Sequence, residues 1–402
     1  MKELEYPFDA AYIIKKRKSL KKALLADGTS RIRKKIAVFG GSTTSDIVKT
    51  LELFLLDAGI EPEFYESEYA QYFQDAMFPD ETLLSFKPDI VFIHTTNRNV
   101  TNWPEMTDTT EQIDEKLHTE LNRFTAMWKS IAEKFHCPII QNNFEMPLYR
   151  LLGSRDAWDI HGRTNFLTRL NEAFYAYARE NESFYIHDLN FVSADYGLKE
   201  WSNPLFWNMY KYAMCFEAIP SFAFSVSHII KSIFGKNKKA LALDLDNTLW
   251  GGVVGDDGVD GIEIGQETGV SQSYYEFQTY VKQLKSLGIV LTVCSKNDHE
   301  NAIAGLNHPE GALRPDDFVI IKANWENKDR NIAETAAELN ILPDSIVFAD
   351  DNPAEREIVR TQIKGAAVPD MDGVENYITT IDRSGFFEVT TVSYTHLRAH
   401  ET

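Results

Sequence analysis

The stretch Lys239-Ala-Leu-Ala-Leu-Asp-Leu-Asp-Asn-Thr-Leu-Trp250 decides how the second half of this chain is interpreted. A short apolar run of strand length leads into two acidic residues, Asp244 and Asp246, and into a turn that opens toward Gly251 and Gly252. Side chains alternate along a strand, so the two carboxylates face the same way. Two carboxylates directed at one point repel each other unless a cation, a proton or a substrate lies between them. Taken alone, the pair is equally compatible with a strand that ends in a solvated polar turn.

Three later segments place further polar residues at the ends of predicted elements. A predicted strand at residues 289–294 is followed by Ser295-Lys296-Asn297-Asp298, and Asn324-Trp-Glu-Asn-Lys328 opens a helix predicted to end near residue 339. A predicted strand at residues 345–349 leads into Asp350-Asp351-Asn352-Pro353. Phosphoryl transfer needs an in-line nucleophile, a proton donor and positive charge around the transferred group. Together the four segments supply all three.

In this order the segments resemble the four motifs of the haloacid dehalogenase (HAD) superfamily, over about residues 239–370. The resemblance implies that Asp244 is the nucleophile, which forms an aspartyl-phosphate, and that Asp246 is the general acid and then the base. It implies Mg²⁺ as cofactor, held by Asp244, by Asp246 through its backbone carbonyl, and by Asp350 or Asp351, because a hard octahedral ion prefers oxygen ligands. The residues expected around the phosphate are Ser295, Lys328, Asn247, Thr248 and Lys296.

Within that superfamily, the sequence of residues 244–258 is similar to that of the FkbH-like subfamily, class IIIC. It reads Asp-Leu-Asp-Asn-Thr-Leu-Trp-Gly-Gly-Val-Val-Gly-Asp-Asp-Gly. Asn-Trp-x-x-Lys at 324–328 and Asp-Asp-Asn-Pro-x-Glu-Arg-Glu at 350–357 extend the similarity. Members of this family commonly join an SGNH-like amino-terminal domain to the phosphatase-like one. The resemblance implies a small phosphorylated substrate and, more narrowly, transfer of a glyceryl group from 1,3-bisphosphoglycerate to an acyl carrier protein in polyketide biosynthesis. An acyl carrier protein is therefore a candidate partner.

The first half of the chain alternates strand and helix patterns after a helical lead-in at residues 1–34. This alternation predicts a mostly parallel, doubly wound sheet. At the carboxyl ends of its strands we expect Ser42, Asn97, Asn142 and Asp188 to gather. The expected fold class is α/β, with two doubly wound Rossmann-like domains, SGNH-like and then HAD-like, the latter without a large cap. The predicted strands lie at residues 35–39, 90–94, 138–141 and 184–187, and the helices near residues 46–58, 111–135 and 164–180.

The first predicted strand runs into Gly40-Gly41-Ser42 and a helix N-terminus, where backbone N–H groups can hold an oxyanion. The arrangement resembles an SGNH-type hydrolase, in which a serine is the nucleophile, an asparagine helps to form the oxyanion hole, and a late Asp-x-x-His supplies the base. Ser42 matches the serine and Asn97 the asparagine. No Asp-x-x-His follows, since His187 precedes its aspartate and His228 lies inside an apolar run. Without a base the serine is a poor nucleophile, so a degenerate binding or docking module is favoured over a serine esterase.

Length and composition indicate how many domains the chain forms and which classes of binding partner are excluded. A length of 402 residues favours two domains, expected at residues 35–234 and 235–391, with the linker at 235–238. The net charge of −19 argues against binding to nucleic acid or to an anionic membrane. Three cysteines form neither a paired framework nor a metal-type spacing. With no signal segment or membrane-length apolar stretch, the expected location is the cytoplasm.

Two further features concern the rim and the end of the second domain. The glycine-rich residues 251–258 predict a short hairpin flap, and there is no room for a large lid, so a carrier protein, a peptide or the first domain is expected to close the site. A strand is predicted at residues 386–391. Residues 392–402, which follow it, are similar to a translated sequencing adapter and are taken as non-native. In the natural protein, an acetyltransferase-like domain is expected as a candidate continuation of the chain. A non-catalytic docking scaffold with a vestigial phosphatase is the remaining alternative.

Overall fold

Parallel strands form the centre of the first half of the chain, as a computed structural model that describes residues 1–390 shows. They lie side by side in the order β2-β1-β3-β4-β5, so the chain direction across the sheet reverses between β1 and β3. In doubly wound sheets, ligands bind at the carboxyl edge near such a reversal. The strands are β1 (Ile32–Gly40), β2 (Ile60–Glu66), β3 (Ile90–His94), β4 (Ile139–Asn142) and β5 (Phe184–His187).

Helices cover both faces of this sheet. Side chains alternate along β1, so Ile36 and Val38 pack among residues of the first, second and tenth helices, whereas Ala37 and Phe39 pack on the other face. The helices are α1 (Ala10–Ala26), α2 (Ser45–Asp57), α3 (Tyr72–Met77), α4 (Glu81–Phe86), α5 (Thr110–Phe135), α6 (Arg163–Glu180), α7 (Leu189–Tyr196), α8 (Leu198–Trp201), α9 (Pro204–Tyr210) and α10 (Ile219–Ile233).

The lead-in helix α1 is part of the first unit rather than a separate element. Its apolar residues Ile13, Leu20 and Leu24 are buried in the same cluster as α2 and α10. Asp9 caps its N-terminus by accepting a hydrogen bond from the Tyr12 N–H at 2.9 Å. The chain divides into two compact units, of which the first comprises residues 1–4 and 8–234 and the second begins at residue 235 and includes residues 5–7.

The second unit repeats the architecture with a smaller parallel sheet, in the order β8-β7-β6-β9. Its strands are β6 (Ala240–Leu243), β7 (Val290–Ser295), β8 (Ile320–Ala323) and β9 (Ile346–Ala349). Its helices within the described residues are α11 (Val254–Asp257), α12 (Gly269–Ser286), α13 (His299–Leu306), α14 (Lys328–Glu338), α15 (Pro353–Gln362) and α16 (Tyr377–Arg383). The predicted fold class, two α/β units with parallel sheets, is confirmed.

Two local predictions in the second unit are wrong. The segment that we call the flap, residues 250–263, is not a hairpin: Gly251 pairs with Glu263, but α11 lies between them because the Asp257 carboxylate accepts the Val253 N–H at 2.8 Å and stabilises a helical turn. The strand expected at 386–391 is replaced, up to residue 390, by a turn and irregular backbone. The predicted non-native tail at 392–402 lies outside the described residues.

Candidate active site

The site forms where three strands of the second unit end. Asp244 directly follows β6, and its N–H donates to the carbonyl of Ala349 at 2.9 Å, so it lies beside the end of β9. Asp350 and Asp351 directly follow β9. Lys328, predicted at the start of a helix, is the first residue of α14, which follows β8. The sheet order therefore brings these residues to one edge, as the sequence predicts.

Lys328 bridges two aspartates in the interior of this edge. Its Nζ lies 3.0 Å from Asp244 Oδ2 and 2.5 Å from Asp350 Oδ2. All three residues are buried, and Asp350 is completely so. Burial acts to lower the pKa of the Lys328 ammonium, but the two carboxylates outweigh it and raise that pKa, so the side chain stays charged. A buried charge of this kind needs its partners, since an unpaired one is costly.

Three carboxylates converge beside Lys328. Oxygen atoms of Asp244, Asp350 and Asp351 all lie within 4.8 Å of one another. Burial and the charge of Asp244 raise the pKa of Asp350 to about 7 and raise that of Asp351 as well. Asp244 Oδ1 is buried and has no hydrogen-bond partner. One lysine therefore leaves negative charge uncompensated, and an orphaned carboxylate oxygen in an all-oxygen cluster fits a hard divalent cation such as Mg²⁺.

Asp246 is held apart from this cluster by three donors. Its Oδ1 accepts hydrogen bonds from Trp250 Nε1 at 2.9 Å and from the Val254 N–H at 3.0 Å, both in the flap, and its Oδ2 accepts from Asn297 Nδ2 at 2.9 Å. Burial and the charge of Asp244 raise the pKa of Asp246. Three donors thus fix the orientation of the Asp246 side chain, and the carboxylates of the described residues that could together hold a metal ion do not include it. Asn297 is missed by the sequence reasoning.

The other residues predicted to bind the phosphate make different contacts in the structure. Ser295 is the last residue of β7 and is buried. Thr248 Oγ1 accepts the Asp351 N–H at 3.1 Å, which ties the first motif to the acidic pair. Two predictions need correction: Lys296 forms an ion pair with Glu355 at 2.7 Å, and the Asn247 side-chain oxygen accepts the Gly252 N–H at 2.9 Å. Lys296 is therefore neutralised by a carboxylate, and Asn247 holds the base of the flap.

Arg356 supports the site from beneath. It is 4% exposed, and its Nη1 donates to the backbone carbonyls of Asp350 at 2.9 Å and Asp351 at 2.7 Å. These bonds fix the turn that carries the two acids. An arginine at the fourth position of the helix that follows an acidic pair is the signal that could have revealed this role.

The Ser42 turn of the first unit lacks the rest of a hydrolase site. Ser42 is buried, and its Oγ has no hydrogen-bond partner. Asn97 does not face the turn, because its amide donates to the carbonyls of Glu145 at 3.3 Å and Met146 at 3.4 Å. Asn99 lies there instead and donates to the Gly41 carbonyl at 2.9 Å. The prediction that Asn97 is the oxyanion asparagine is therefore wrong, since the 3₁₀ turn Asn97–Asn99 directs the later residue back to Gly41.

Two histidines near this edge are fixed as neutral buried groups. Asn142 donates from Nδ2 to His94 Nδ1 at 2.8 Å, and its Oδ1 accepts from His187 Nδ1 at 2.8 Å. His187 Nε2 is then an acceptor, and Ser225 Oγ donates to it at 3.1 Å. Burial lowers the pKa of both imidazoles to about 3. Neither can act as an effective base at neutral pH.

Comparison with known proteins identifies the family. A family model described as "FkbH, N-terminal domain" matches residues 35–231. The crystal structure of the N-terminal part of the protein BF1531 from Bacteroides fragilis, which contains a phosphatase domain and is complexed with Mg, is 31% identical to this chain with a TM-score of 0.85. That match covers 93% of this chain and 99% of the other. The chain belongs to the FkbH-like proteins.

Other solved structures resemble only part of this FkbH-like chain. A putative acylhydrolase from Bacteroides fragilis is 17% identical, covers 55% of this chain and 97% of its own, and has a TM-score of 0.30. A GDSL-like lipase from Bacteroides thetaiotaomicron is 13% identical, covers 56% and 98%, and has a TM-score of 0.27. Similarities this low say nothing about activity. No curated protein matches the FkbH-like chain, and no helix among its described residues is long and apolar enough to span a membrane.

Proposed function

We propose that the second unit of this FkbH-like protein is a Mg²⁺-dependent HAD-type phosphatase or phosphotransferase that acts through an aspartyl-phosphate. One observation carries the proposal: Lys328 lies between Asp244 and Asp350, with Asp351 beside them, at the carboxyl edge of a parallel sheet. A carboxylate nucleophile, a fixed cation and an incompletely neutralised acidic cluster are the parts that phosphoryl transfer from an anionic substrate needs.

Each side chain has a defined step in this reaction. An oxygen of Asp244 attacks phosphorus and forms the Asp244–phosphate bond, while the bond from phosphorus to the leaving oxygen breaks. Asp246 donates a proton to that oxygen. It then accepts a proton from the water that attacks the aspartyl-phosphate, so that inorganic phosphate leaves and both aspartates are regenerated. The hydrogen bonds from Trp250, Val254 and Asn297 orient Asp246 for both transfers.

Positive charge in the site comes from two sources. The Lys328 ammonium neutralises phosphate oxygens as a point charge, with Ser295 and Thr248 as hydroxyl donors. Asp244, Asp350 and Asp351 would hold Mg²⁺, with the backbone carbonyl of Asp246 as the further predicted ligand. The bound ion supplies charge neutralisation between the phosphoryl group and the carboxylate nucleophile.

The proposed substrate is a small phosphorylated metabolite. The narrower version, transfer of a glyceryl group from 1,3-bisphosphoglycerate to an acyl carrier protein, is supported by membership of the FkbH-like family, and with it an assignment to polyketide biosynthesis. The test is to incubate the protein with 1,3-bisphosphoglycerate and a purified acyl carrier protein and to weigh the carrier protein by mass spectrometry. An unchanged carrier mass, together with release of phosphate, would leave the phosphatase proposal in place and reject the transfer.

The phosphatase proposal is tested with acetyl phosphate and p-nitrophenyl phosphate as general substrates. We expect phosphate release that requires Mg²⁺, stops in EDTA and falls by about 10³-fold or more in Asp244→Asn, because that variant lacks the nucleophile. The matched control is Asp316→Asn, an exposed aspartate of the same unit whose carboxylate takes part in no described contact. Turnover by Asp244→Asn at the rate of Asp316→Asn would overturn the proposal.

A further inference from the structure

A cleft in the first unit has no part in the proposed phosphatase chemistry. Its volume is about 420 Å³, and it is lined by the loops that follow β3 and β4 and by residues of α8 and α9. It opens at the carboxyl edge of the sheet, where doubly wound folds bind their ligands. The volume suits a small organic molecule. The lining residues used below are Asn97, Arg98, Trp103, Glu145, Arg163 and Trp207.

Aromatic rings and two guanidinium groups form the walls. Arg98 lies over the ring of Trp207 at 5.3 Å, and Arg163 lies over Trp103 at 4.9 Å. Arg163 also contacts Tyr149, whose hydroxyl accepts a hydrogen bond from Arg163 Nη1 at 3.1 Å. A guanidinium group that lies over an aromatic ring is held in place by it and can still donate further hydrogen bonds to an acceptor.

The two arginines have no anionic partner. Among residues 1–390, no carboxylate lies within ion-pair distance of Arg98 or Arg163, although most other arginines of the first unit are paired. On a chain with a net charge of −19, two unpaired guanidinium groups at one cleft are a local excess of positive charge. Their planar donor arrays match a carboxylate or phosphate group.

The nearest buried acid does not cancel this charge. Glu145 is 4% exposed, and its Oε2 accepts the Asn97 N–H at 3.1 Å. Burial raises the pKa of Glu145 to about 8 although the charge of Arg98 acts in the opposite direction, so at neutral pH most of this carboxyl group is uncharged. Glu145 therefore leaves most of the positive charge of Arg98 available to a bound anion.

We propose that this cleft binds a free organic anion with an apolar, preferably aromatic body, whose body packs against Trp103 and Trp207 and whose carboxylate or phosphate group pairs with Arg98 and Arg163. The proposed role is binding without hydrolysis, since Ser42 of the same unit has no hydrogen-bond partner that could act as a base.

Isothermal titration calorimetry with two matched probes tests this directly. The probes are 2-naphthoate and 2-naphthalenemethanol, which share the aromatic body and differ in charge. The titrations use the full chain in EDTA, so that their result is independent of the phosphatase site. We expect 2-naphthoate to bind about tenfold more tightly or better, and Arg98→Gln and Arg163→Gln each to weaken its binding by about tenfold while hardly changing the neutral probe.

The control variant is Arg33→Gln. Arg33 lies on β1 of the same unit, and its side chain is 86% exposed. The Arg33→Gln substitution removes one positive charge at a position outside the cleft, so the affinity for 2-naphthoate should stay at the wild-type level. Equal affinity for the two probes, equal losses in Arg33→Gln and Arg98→Gln, or no binding of 2-naphthoate by the wild-type chain would each overturn the proposal.

Discussion

Replacing Lys328 by methionine gives the sharpest test of the aspartate cluster. Methionine is unbranched like lysine, one atom shorter and uncharged, so this change leaves Asp244 and Asp350 buried against each other. When both groups are ionised, which requires a pH above the raised pKa of Asp350, two unit charges 4.8 Å apart, the upper limit for oxygen atoms of the three carboxylates, repel by about 3 kcal/mol at an effective dielectric constant of about 20. Loss of one partner of a buried ion pair typically costs about 3–5 kcal/mol. The two estimates agree.

That loss should appear as a lower melting temperature of the second unit in EDTA. For a unit of this size, about 3–5 kcal/mol corresponds to a decrease of about 6–20 °C, measured by differential scanning calorimetry. Mg²⁺ should recover more stability in Lys328→Met than in the wild type, because the ion replaces the missing positive charge in the cluster.

Lys322→Met is the matched control for this measurement. Lys322 lies on β8 and pairs with Glu338 at 2.6 Å and Glu334 at 3.5 Å, but both glutamates are about half exposed. Surface pairs contribute about 1 kcal/mol or less. If Lys328→Met melted at the temperature of Lys322→Met, and Mg²⁺ stabilised both variants equally, the electrostatic account of the site would be refuted.

Three other predictions concern single side chains. Asn297→Ala removes one hydrogen bond to Asp246 and should lower kcat for phosphate release by about 3- to 10-fold with little change in KM, measured by steady-state kinetics; an unchanged kcat would deny the positioning role. A fluorophosphonate probe should leave the mass of the intact chain unchanged, since Ser42 has no base, whereas labelling that disappears in Ser42→Ala would restore the esterase alternative. Glu145 has a raised pKa in the folded state, so its neutral form stabilises the first unit at low pH, and this contribution is lost as the pH rises from about 4.5 to 8. The free energy of unfolding of Glu145→Gln, measured in urea, should therefore rise by about 2–4 kcal/mol relative to the wild type between pH 5 and pH 8. Parallel pH profiles of the two proteins would contradict this prediction.

The sequence predicts strands well where the hydrophobic run is unbroken. The predicted bounds of β3 and β5 agree with the structure, and β6 and β9 emerge with their acidic ends. Strand β2 is missed because Ile-Glu-Pro-Glu-Phe-Tyr-Glu has a proline and three acidic residues. An edge strand tolerates these residues, since only one side pairs with a neighbour.

Spacing alone does not decide which of two adjacent polar residues faces a site. Lys296 and Asn297 stand side by side after β7, and only the backbone path shows that Asn297 reaches Asp246 while Lys296 turns to Glu355. The choice between Asn97 and Asn99 at the Ser42 turn fails for the same reason. Motif residues that end a strand are well determined by the sheet, whereas those in the following turn depend on local geometry that a sequence pattern does not record.

The hydrogen bonds from the flap to Asp246 have a consequence for selectivity. Trp250 and Val254 are buried in the core of the second unit, and both donate to the carboxylate that we propose as the proton carrier. A bulky molecule that displaced these residues would also remove the donors that orient the carboxylate, so a poor fit would by itself slow the reaction. Selection of substrates by size would then need no separate gate. A substrate that disturbs residues 250–254 would react slowly even when it binds tightly.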